Sequence, residues 1–93
     1  MTYLPLTNNP EATFNVVIFD NLYTFRQLWN EYGFWTLDIS NTDGDILILG
    51  VKVITKINLL RQYPGFGFKL ISENESDPGR YDLESFDLGV LSV

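Results

Sequence analysis

Short runs of β-branched and aromatic residues recur along the chain, each closed off by Gly, Asn, Asp or Pro, and no apolar run has the length and 3.6-residue period of a core helix. This spacing constrains the fold more than any other feature. It predicts an all-β chain, an antiparallel β-barrel or sandwich of about six to eight short strands. "YLPL" near the start reads as an extended edge segment, because Pro5 cannot donate to a ladder. "TFNVVIF" sets Phe14, Val16 and Ile18 on one face, with Asn15, Val17 and Phe19 on the other. A turn at Asp20 and Asn21 leads into "LYTFRQLW", where Tyr23, Phe25, Gln27 and Trp29 share a face opposite Leu22, Thr24, Arg26 and Leu28. "NEYG" turns the chain again. "FWTLDIS" then alternates Trp35, Leu37 and Ile39 against a wetter set of Phe34, Thr36, Asp38 and Ser40.

"DILILGVKVITKI" breaks the alternation, since it is apolar on both faces for most of its length. The expectation is a strand buried on both sides, or one that bends from one sheet to another, with the bend or bulge at Gly50. In "NLLRQYPGFG" one helical turn is expected near residues 59–62, stopped by Pro64 and Gly65. "FKLIS" reads as a strand, "ENESDPGRYD" as a long loop and "LGVLSV" as the last strand.

The chain has 93 residues and no cysteine, so cohesion falls to its apolar side chains, among them two Trp, five Tyr and seven Phe. One domain over residues 1–93 is expected, since two cores would each be too small. Without His or Cys there is no Ser-His-Asp or Cys-His nucleophile and no zinc site built on those ligands. No apolar run is long enough for a membrane helix, and "MTYLPLTNNP" lacks a charged start followed by an apolar stretch, so a soluble chain without a secretion signal is expected. The net charge of −6 repels phosphate backbones, which argues against nucleic acid as a partner.

"NTDGD" invites comparison with a calcium loop. With Gly44 at the sixth position of an EF-hand, Ile39 and Gly50 would fall at the first and twelfth, where carboxylates are required. A turn between strands fits better. The segment Glu73–Asp87 carries Glu73, Glu75, Asp77, Asp82, Glu84 and Asp87 against one base, Arg80, and reads first as a solvated or docking loop. A hydrolase built on two acids among Asp38, Asp43, Asp45, Glu75 and Asp77 rests only on their number. "GFGF" at residues 65–68 lacks the third glycine of a dinucleotide fingerprint. The aromatics around "NEYG" read as core filling, with a carbohydrate-binding platform of Trp29, Tyr32 and Trp35 as the alternative function.

In order, "LPLTNNPEATFNVVI", "LYTFRQLW", "GFWTLDI", "DGDILILGV", "NLLRQYPGFGFKLI" and "ESDPGRYDLESFDLGVLSV" resemble the baseplate plug proteins of contractile-tailed bacteriophages, of the cyanophage type. The most telling pieces are "WTLDI", the "LLRQY" before Gly-Phe-Gly, and the acidic loop ending in a Leu-rich strand. The resemblance implies a non-enzymatic virion subunit without cofactor or metal, assembled in the host cytoplasm into the tail baseplate. It would join or close the tail tube near the hub and spike. Implied partners are hub, spike and tail-tube proteins and further copies of the chain, with no nucleic acid and no membrane. For such a role the terminal segments and the acidic loop are the candidate docking elements, through Tyr3, Leu4, Leu6, Tyr32, Glu75, Asp77, Arg80, Leu88 and Val90.

Overall fold

Seven strands form two antiparallel sheets in the computed structural model, which describes residues 2–92. They are β1 (Thr2–Tyr3), β2 (Glu11–Ile18), β3 (Asn21–Asn30), β4 (Phe34–Ser40), β5 (Ile46–Lys52), β6 (Phe68–Ile71) and β7 (Gly89–Ser92). One sheet has the order β2-β3-β4-β5, and the smaller one the order β1-β7-β6. The sheets do not close into a barrel, so the sandwich of the two expected architectures is the one adopted. "YLPL" does enter at an edge, through β1 pairing with β7, while Met1 and Val93, the ends of the expected first and last segments, lie outside the described residues.

The alternation expected from sequence decides which face turns inward. Phe25, Gln27, Trp35, Leu37 and Ile39 are buried beneath the larger sheet, and Phe68, Leu70, Leu88 and Val90 beneath the smaller. Tyr23 on β3 meets Phe68 on β6 with ring centroids 5.5 Å apart, so the two inner faces share one core. Fully burying side chains of this size contributes about 1.5–3 kcal/mol each, which is how the chain holds together without disulfides. Leu59, Leu60, Leu83 and Phe86, from the connections, complete the core.

The β2–β3 turn sits one residue earlier than expected. Ile18 pairs with Asn21, leaving Phe19 and Asp20 as the two turn residues, both in the left-handed region at φ 48° and 69°. Two positive φ values give the mirror-image turn that suits the twist of paired strands. Both registers would keep the same faces inward. The observed one stacks Phe14 on Phe25, with rings 5.5 Å apart and 2° from parallel, and lets the Thr24 hydroxyl donate to Asn15 Oδ1 at 2.8 Å. The unfavourable backbone of Phe19 is offset in part by its ring, which meets the edge of Phe68 at 6.4 Å.

The second correction concerns β5. It lies at the edge of the larger sheet and is not buried on both faces: Ile48 and Val53 are in the core while Ile46, Leu47 and Leu49 are exposed. Two register shifts against β4 explain why strict alternation misplaced these residues. Five residues of β4, Thr36 to Ser40, span seven of β5, Lys52 to Ile46. One of these bulges lies at Gly50, as expected, where φ is +75°. A third correction lies in the following connection. Residues 59–62 form a hydrogen-bonded turn, and Pro64, read as a stop, begins a separate 3-10 turn over Pro64–Phe66. Proline fits there because its fixed φ suits the first helical position and its absent N–H is not needed.

Candidate functional site

Asn41 organises the "NTDGD" turn: its Oδ1 accepts from the amides of Asp43 and Asp45, both at 3.0 Å, and Gly44 takes the positive φ of 84°. It is a turn between strands. Among the described residues no group of three or more His, Cys, Asp or Glu side chains is placed to hold a metal ion. Asp38 points to the outer face of the larger sheet yet is nearly buried, because its Oδ1 accepts the Gly50 amide at 2.7 Å and so holds the β5 bulge. Arg26 lies 3.9 Å from its other oxygen and pairs more closely with Glu11, whose hydrogen bond and charge raise the Arg26 pKa above its ordinary value.

The aromatic platform is not assembled. Trp35 has no exposed surface, its indole Nε1 donates to Gly79 O at 2.8 Å, and Trp29 packs edge-on against it at 5.3 Å. Tyr32 stands alone in the β3–β4 turn, 92% exposed.

Much of the acidic loop is fastened to the domain. Asp77 Oδ1 accepts the Thr55 amide at 2.7 Å, and Arg80 donates to Asn8 O at 2.8 Å while its guanidinium stacks on Tyr81 at 4.7 Å. The Glu84 amide donates to Asn8 Oδ1 at 2.8 Å. Gln27, buried at 0% exposure, clamps the N-terminal segment: it accepts from the Thr7 amide and donates to the carbonyls of Thr7 and Asn9 at 2.9 and 2.8 Å. Gln27 was legible only as an inward-facing polar residue, and its partners, about twenty residues away, were not.

Of the expected docking residues, Leu4, Leu6, Leu88 and Val90 are buried in this chain's own core. Their side chains hold the terminal segments down and are not presented to a partner, which corrects that part of the expectation. Asp77 and Arg80 are occupied as described. Tyr3 and Glu75 do come together: with Ile71, Glu73, Asn74, Asp87 and Leu91 they line a groove of about 440 Å³ on the smaller sheet. Its floor is apolar and its rim carries three carboxylates, with Lys56 3.7 Å from Glu75. A second surface was missed by sequence reasoning. Beside the open edge of β5, Tyr23, Leu47, Tyr63, Gly65 and Phe66 line an apolar cavity of about 380 Å³, continued past Tyr63 by Leu49, Val51, Lys52 and Arg61. The signal available was the unbroken apolar run "ILILGV", which fits an uncovered edge as well as a buried strand.

A geometry of exposed surfaces and fastened loops accords with the comparison to known families. A family model described as cyanophage baseplate Pam3 plug gp18 matches residues 1–91. The chain belongs to this baseplate plug family. The resemblance read from the motif order is therefore shown over nearly the whole chain. Plug-family membership supports a structural role in a phage tail baseplate, in contact with other baseplate and tail components. No curated protein matches the chain.

Proposed function

We propose that the chain is a non-enzymatic, single-unit subunit of a contractile-tail baseplate, present in several copies, which joins or closes the tail tube near the hub and spike. The observation that carries this is the plug-family match over residues 1–91. The side chains agree with it. Asp38 and Asp77, two of the five acids weighed for a hydrolase, are engaged with backbone amides, and neither His nor Cys is present. The acid-rimmed groove holding Tyr3 and Glu75 is the proposed contact for a neighbouring protein, since an apolar floor gives affinity and a rim of three carboxylates, only one of them facing Lys56, favours a basic partner. Assembly follows in the host cytoplasm, before the virion is complete.

Co-expression with the hub, spike and tube proteins of the same phage tests the reading. The expected result is a complex that retains the chain through purification and loses it when Glu73 and Glu75 are both changed to Lys. A chain that never co-purifies with any of the three would overturn it.

A further inference from the structure

The larger sheet is open at both ends of its strand order, and the two edges differ. β5 presents Ile46 and Leu49, 64% and 72% exposed, with no charge between Asp45 and Lys52. β2 presents Val17, 64% exposed, toward its turn and Glu11 at its start. Exposed apolar edges are avoided in proteins that remain monomeric, which use charge, bulges or cover to block pairing, and on β5 the two bulges and the neighbouring Arg61–Tyr63 segment still leave Ile46 and Leu49 exposed.

Register across the sheet supplies the second observation. One rung runs Glu11, Leu28, Thr36, Lys52, so the two open edges carry opposite charges at the same height. Another runs Asn15, Thr24, Ser40, Ile46. Because the bulges compress β5 to the five rungs of Thr36–Ser40, its length matches Glu11–Asn15 on β2. All neighbours in this sheet are antiparallel, so β5 runs opposite to β2, and a copy rotated beside the first would bring them together in antiparallel sense.

We infer that the β5 edge of one copy pairs with the β2 edge of the next, a head-to-tail contact between copies of this chain that closes into a ring. Lys52 then faces the neighbour's Glu11, and Ile46 faces Asn15 while reaching diagonally to Val17. Leu49, at the bulge, covers Thr13. The two-fold alternative of β5 on β5 forfeits the charge match, since Lys52 and Glu11 are on different edges. Head-to-tail contacts make rings when the rotation closes. The pairing extends the proposed multi-copy subunit, and the purified chain tests it without any other baseplate protein, so the two can fail separately.

The absence of native cysteine makes cross-linking clean. Directly opposed antiparallel residues have Cα atoms roughly 4.5–5.5 Å apart, within disulfide reach. Under mild oxidation, the N15C/I46C double variant is expected to give a ladder of covalent dimers, trimers and higher species, at least tenfold above either single variant. Adding Lys52→Glu should cut the ladder at least tenfold, and adding Glu11→Lys as well should restore it, which separates lost pairing from lost folding. Dimers from I46C alone, equal to those of the double variant, would overturn the inference in favour of β5–β5 pairing. A double variant that links no more than the singles, or a ladder indifferent to Lys52→Glu, would overturn it outright.

Discussion

Single residues carry backbone geometry that composition does not display. Asp20 holds a φ of 69° in a turn whose second position favours glycine, so Asp20→Gly should raise stability by about 0.5–1 kcal/mol, read as a higher urea midpoint at unchanged slope. Gln27 acts in the opposite direction. Truncating it to Ala removes a fully buried side chain and leaves the Thr7 amide and the carbonyls of Thr7 and Asn9 without that partner in a half-buried site. A loss of about 2–4 kcal/mol in urea unfolding is expected. Its inward position was legible from its alternation with Phe25 and Trp29. The bonds were not, because a clamp across about twenty residues leaves no periodic trace in the chain.

Strands were legible wherever one face is wet. β2, β3 and β4 obey the period of two, and the residues grouped on one face of each do turn inward together, even though the β2–β3 register slipped by two; which face is wetter was legible only for β4. β5 was not, because an apolar edge and a doubly buried strand have the same composition, and a bulge shifts parity without changing any residue. Gly50 was the one visible mark of that bulge. Asp38 is what secures it from across the ladder, and the two can be separated by substitution. Asp38→Asn keeps an oxygen for the Gly50 amide and should cost less than about 1 kcal/mol, whereas Asp38→Ala should cost about 1–3 kcal/mol. Thermal unfolding of the pair measures the difference. Gly50→Ala meets no atom within 4 Å, so its cost, about 1–2 kcal/mol, is that of the positive φ alone.

At the scale of the whole molecule, the sequence order carried the family, while the surfaces emerged only from folding. The terminal leucines, which read as docking elements, are core, and the true exposed features are a groove assembled from β1, β6, β7 and the acidic loop and an edge on the other sheet. Burial in a partly exposed sheet depends on which element covers it, and that is a property of topology. If the β5 edge is an assembly surface, Leu49→Lys should leave the stability of the isolated chain within about 0.5 kcal/mol while weakening assembly, as sedimentation at rising concentration would show. The central claim is that the chain is a structural part of the tail baseplate. Electron cryomicroscopy of the phage that encodes it tests this most directly: density for this two-sheet fold should lie at the baseplate centre, where the tube meets the hub and spike. A complete baseplate with no copy of the chain would contradict the account.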